Sequence, residues 1–158
     1  MNIAIRIVKK GGQYLGILGI VFLVSACGSQ TPMDKQAEDG KYHYKNSGLG
    51  FELDLPSSFK KYQSQRKKGE GFTEIQILVP TGDKDKFGKV YGYARPVTIR
   101  VYDSPRDDYG NFRKITSGKK EVYTINFWQK NQIPDDWKEK WNDQVKNNIR
   151  ESFRLNSD

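Results

Sequence analysis

One cysteine and one histidine stand in 158 residues, and apolar residues are scarce outside the first 27. A single cysteine excludes an internal disulfide. A single histidine, His43, leaves His-dependent general-base catalysis and His-rich metal sites little to work with. The patterns G-x-S-x-G, H-E-x-x-H, the P-loop and G-x-G-x-x-G are absent, which removes the commonest enzyme classes readable from sequence. A chain of this length carries about one domain, so a large multidomain enzyme is excluded as well. From Gly28 onward only 39 residues are apolar, and 18 of those are aromatic. Aromatic side chains bury roughly 150 to 250 Å² each, so a small number can close a core.

The apolar residues that remain are concentrated at the start. Arg6, Lys9 and Lys10 precede an uninterrupted stretch from Tyr14 to Ala26 that carries no charge. A charged n-region, an apolar h-region and small residues before a cut are the layout of a secretory signal. Thirteen residues of helix cover about 20 Å against a bilayer core of about 30 Å, so a permanent transmembrane helix is the weaker reading. The stretch ends in Leu23-Val24-Ser25-Ala26-Cys27, which resembles the bacterial lipobox. The resemblance implies removal of residues 1–26 and diacylglyceryl modification of Cys27 as the new N-terminus. Two acyl chains anchor stably where one is marginal. The expected location is therefore the outer face of a bacterial envelope membrane, held by lipid. Residues 27–40 offer little to bury beyond Met33 and Ala37, so they read as a flexible tether.

Residues 41–158 read as a single domain. Tyr42 and Tyr44, then Phe51, Leu53 and Leu55, alternate with polar residues across a turn at Asn46-Ser47-Gly48, which predicts an antiparallel hairpin with one wet face. Further strands are expected over Phe72 to Val79, Lys89 to Tyr102 and Glu121 to Trp128, with Pro96 marking a bulge, an edge or a break. Lys60 to Gly71 reads as a basic loop. Trp137, Trp141, Val145 and Ile149 repeat at i+4, and Asp136 with Glu139 has capping-box spacing, which predicts a long helix whose aromatic stripe faces the core. A short strand closes the chain after Arg150. The expected class is α+β: five or six antiparallel strands with one long C-terminal helix packed on one face.

Tyr44-Lys45-Asn46 followed by Gly50-Phe51-Glu52-Leu53-Asp54-Leu55-Pro56, and the closing Ile149-Arg150-Glu151-Ser152-Phe153-Arg154-Leu155, resemble the opening and the end of PsbP-like domains and of bacterial envelope lipoproteins with the same motif. Phe59 stands where many of those have Trp. The resemblance implies an antiparallel sheet flanked by helices, in accessory or binding subunits at membranes. Fold analogy does not transmit a specific activity.

The strongest chemical signal is charge. Lys60, Lys61, Arg66, Lys67 and Lys68 crowd into nine residues beside Phe59 and Tyr62. Without the signal's three cations the chain keeps 24 basic against 19 acidic residues. A tethered basic domain is drawn to anionic headgroups or envelope polymers. The expected partners are membrane lipid through acylated Cys27 and an anionic polymer or membrane protein complex through those five residues. Nucleic acid is not expected for an exported chain, and no cofactor, metal or catalytic residue is expected. Asp83-Lys84-Asp85-Lys86-Phe87-Gly88 imitates the start of a calcium loop but has Phe87 at position 5 and Ala94 at position 12. The competing reading is a hydrolase or transferase of envelope material that uses carboxylates such as Asp103, Asp107 and Asp108.

Overall fold

The computed structural model describes residues 35–104, 112–116 and 119–156. The signal segment, Cys27 and most of the tether lie outside the described residues, as do Asp107 and Asp108. The fold is mostly β, with two antiparallel sheets and one short C-terminal helix. The first sheet contains β1 (Tyr42–Asn46), β2 (Phe51–Leu55) and the two-residue β8 (Arg154–Leu155), with β2 in the middle. The second contains β3 (Gln63–Gly69), β4 (Phe72–Pro80), β5 (Tyr93–Tyr102), β6 (Phe112–Thr116) and β7 (Lys119–Phe127), ordered β3-β4-β5-β7-β6. The single five- or six-stranded sheet expected from sequence is thus replaced by two sheets.

The long C-terminal helix is also corrected. Its first part is a 3-10 turn at Asp135–Trp137, and α1 covers only Asp143–Glu151. Asn142 breaks the run: its backbone is extended, with φ −138° and ψ 177°, and its side chain accepts from Val145 N–H at 3.0 Å. Asn is a preferred N-cap because its side chain competes with the backbone for these donors. The i+4 stripe nevertheless faces inward as expected. Trp137, Trp141 and Ile149 are buried and Val145 packs against the core, because the turn and the helix follow one another over the same apolar surface.

The Lys60 to Gly71 segment is likewise largely strand. β3 has no apolar residue, so no hydrophobic alternation announces it; it forms because β4 needs a partner along that edge. As an edge strand it carries lysines, a recurrent protection against edge-to-edge pairing. Pro96 lies within β5 and is accommodated by a register shift opposite Ile77 and Val79, while its carbonyl accepts from Trp128 N–H at 3.1 Å. β5 starts at Tyr93, so Tyr91 is outside the strand.

The core lies between the sheets and is chiefly aromatic. Phe51 stacks on Phe153 at 5.3 Å, and Phe59 meets Trp137 edge-on at 5.5 Å. Tyr123 reaches from the larger sheet to donate to the carbonyl of Leu49 at 2.9 Å. These contacts turn one face of the larger sheet inward and leave the other to form the site described next.

A cation-lined cleft on the outer face of the larger sheet

Strand alternation decides what the outer face carries. Register places Lys67, Glu74, Arg100 and Thr124 in one row across β3, β4, β5 and β7, with Gln65, Gln76, Thr98 and Asn126 in the next. Glu74 and Gln76 are only 6% and 4% exposed although no apolar layer covers them. Long side chains of their neighbours close over them instead. Lys67 Nζ donates to Gln76 at 2.8 Å, and the Gln76 amide donates to Glu74. Arg100 Nε donates to the other Glu74 oxygen at 2.7 Å, and Arg95 approaches within 3.8 Å. Burial raises the Glu74 pKa, but the hydrogen bonds from Gln76 and Arg100 and the charges of Arg100 and Arg95 outweigh it, holding the carboxyl below its ordinary value. Glu74 is therefore ionised at neutral pH, with two arginines on its carboxylate and Lys67 reaching it only through Gln76. The hydrogen bond to Glu74 also raises the Arg100 pKa.

At one end this face deepens into a cleft of about 390 Å³, lined among others by Gln65, Lys67, Gln76, Arg95, Trp128 and Gln132. One wall is the loop between β4 and β5; the other is the 3-10 turn Lys130–Gln132. Polar bonds fix the walls at their base. Asp136 accepts from the Thr81 hydroxyl at 2.6 Å and Gly82 N–H at 3.1 Å, and Asp83 accepts from Asp135 N–H at 3.1 Å. Trp137 Nε1 donates to the carbonyl of Pro80 at 2.9 Å, and Lys86 Nζ donates to that of Asn131 at 2.8 Å. The Gln65 side-chain oxygen is buried without a hydrogen-bond partner beside the cleft. Trp128 lines the cleft and also packs edge-on against Trp137 and Trp141. A fixed, polar, positively biased cleft suits an anionic ligand.

The five basic residues singled out in the sequence do not form one surface. Lys67 points to the outer face; Arg66 and Lys68, one residue out of phase, take the opposite face, and Lys60 and Lys61 sit in the turn before β3. Lys67 alone belongs to the cleft. Arg95 and Arg100 give no local sequence signal, because they are 28 and 33 positions from Lys67 in the chain and only the pairing of β3, β4 and β5 unites them.

Other sequence candidates resolve into structural roles. Asp83 holds the backbone N–H of Asp85 at 3.1 Å as well as that of Asp135, so its carboxylate builds the loop. Among the described residues no group of three His, Cys, Asp or Glu side chains is placed to hold a metal ion. His43 has Asp54 2.7 Å from Nδ1 and Asp39 3.3 Å from Nε2, so both ring nitrogens face carboxylates. Burial raises the Asp54 pKa, yet hydrogen bonds from His43 and Arg154 leave it lowered overall. The Ser152 hydroxyl accepts from Asp54 N–H at 2.9 Å and donates to the carbonyl of Ile149 at 2.9 Å, a backbone bridge between β2 and α1. Asp103 is exposed, with its N–H donating to Gly71 at 3.0 Å. No helix among the described residues is long and apolar enough to cross a membrane. No family model, curated protein or solved structure matches this chain.

Proposed function

We propose that the chain is an envelope lipoprotein, anchored through diacylated Cys27, whose PsbP-like domain is a non-enzymatic binding module for anionic lipid or polymer. The observation that carries the binding reading is the outer-face arrangement of Arg95 and Arg100 on the buried carboxylate of Glu74, with Lys67 on Gln76, next to a cleft that Lys67 and Arg95 line. Glu74 orients the arginines and neutralises only one of three charges. The surplus faces a cleft whose walls already hold their positions, so little ordering opposes binding.

The lipobox-like segment supports the anchor, and the hairpin opening with the helix-then-strand ending supports the PsbP-like reading. An enzymatic reading has less support. The acid lining the cleft is Asp85 and the one beside it is Glu74, locked between Gln76 and arginines, and neither is paired with a second carboxylate or a histidine. The anchor is tested by Cys27→Ser, which should abolish diacylglyceryl labelling in an expressing bacterium; continued labelling would refute it. Binding is tested by titrating anionic polymer and vesicles against Arg95→Glu, which should weaken both by roughly tenfold.

A further inference from the structure

The cleft's outer wall carries a feature that binding of a soluble polymer does not use. Tyr91 is 83% exposed, the one large hydrophobic side chain left so open among the described residues. It is held in place: Phe87 meets it edge-on at 5.0 Å, and Gly92 follows with φ +77°, a conformation favourable to glycine that turns the chain back into β5. Gly88 N–H donates to the carbonyl of Tyr93 at 2.8 Å, closing the loop below the aromatic pair. Lys84 and Lys89, both exposed, flank the pair. Of the nearby acids, Asp83 is turned back to the backbone N–H groups of Asp85 and Asp135, while the Asp85 carboxylate is exposed; with Lys86 engaged with Asn131, Lys84 and Lys89 against Asp85 leave the outward charge positive by one.

We infer that the Lys84–Tyr91 loop is a membrane-contact rim that seats the cleft against an anionic bilayer surface. Tyrosine suits the boundary between headgroups and acyl chains because its ring is apolar and its hydroxyl is polar. Lysines beside it gain from the negative surface potential, and their stems cover apolar surface while the charges stay in water. A rim of this kind brings Arg95 and Lys67 to headgroup depth, so the anion entering the cleft is a lipid headgroup. The inference rests on the cleft being an anion-binding site and selects lipid over polymer as its occupant.

The test places a reporter in the rim. Full-length chain carrying Tyr91→Trp is reconstituted into vesicles of phosphatidylcholine alone or mixed with phosphatidylglycerol, with the wild-type chain supplying the background of Trp128, Trp137 and Trp141. In anionic vesicles the added Trp should shift its emission to the blue and be quenched by lipids brominated on the acyl chains. Both signals should disappear in pure phosphatidylcholine and with Lys84→Glu/Lys89→Glu, which alters exposed side chains only. Identical, unquenched emission in both vesicle types overturns the inference. A parallel titration with soluble polyglutamate and polyphosphate separates the two levels. Arg95-dependent polyanion binding with no lipid signal at position 91 removes the rim and leaves the cleft; absence of both removes both.

Discussion

The two faces of β4 are buried to similar depth by opposite means. Inward, Ile75, Ile77 and Val79 join an aromatic core; outward, Glu74 and Gln76 are covered by hydrogen-bonded and ion-paired neighbours. The inner face of β4 gains from area removed from water and carries no charge to match. The outer face holds charges that must be matched and remains useful to a ligand carrying charge of its own. Similar burial therefore marks stability on one face and, in the proposed function, recognition on the other.

The largest effect should come from breaking the inner face. Trp137→Ala removes the edge-on contacts with Phe59 and Trp128 and the bond to Pro80, and should cost about 3 to 5 kcal/mol in urea unfolding. That is much of the stability of a small domain. Next is the bond set at the base of the cleft. Asp136→Ala leaves the Thr81 hydroxyl and Gly82 N–H without their acceptor, and should cost about 1 to 2 kcal/mol while loosening the cleft wall, read by amide hydrogen exchange at Gly82.

Glu74→Gln tests the outer face. It should cost about 1 kcal/mol, since the arginines it pairs with are nearly half exposed and partly screened. The sign with pH follows from linkage. A carboxyl lowered in the folded state contributes stability above its unfolded value of 4.5, and that contribution is lost as pH falls through the folded value. Wild type should therefore lose stability on acidification below about pH 4.5 more steeply than Glu74→Gln, as followed by thermal unfolding.

The smallest change is Tyr62→Phe on the inner side. The Tyr62 hydroxyl is buried without a partner, and burial among Tyr44 and Tyr42 raises its pKa to about 12. Removing it should be neutral or stabilise by up to about 1 kcal/mol. A raised pKa gives stability complete below the ordinary value of 10 and lost as pH climbs toward 12, so the variant should resist alkaline unfolding better.

What could be read in the sequence follows the same division. The inner face was legible because Tyr42, Tyr44, Phe51, Leu53, Leu55, Ile75 and Ile77 alternate, and all are core residues. β3 was illegible as a strand because both of its faces are polar, and hydrophobic period is the signal that separates strand from loop. The helix was overextended because a stripe at i+4 shows which residues face inward without showing whether the backbone is continuous; Asn142 held the stop signal. Local charge density pointed to Lys60 through Lys68, yet strand phase divides that cluster. Arg95 and Arg100 reach Glu74 through strand pairing, a relation between segments distant in the chain.

In the proposed function the outer face recognises anions through Lys67, Arg95 and Arg100. The most direct measurement is a titration of anionic vesicles and polyanion against wild type, Lys67→Glu/Arg95→Glu and, as a charge-matched control, Lys60→Glu/Lys61→Glu, at low and high salt. Binding that falls by roughly tenfold or more in the cleft variant, changes little in the control and weakens with salt is the predicted result. Equal losses in both variants would reduce the effect to net charge and contradict the claim, and so would unaltered binding in the cleft variant.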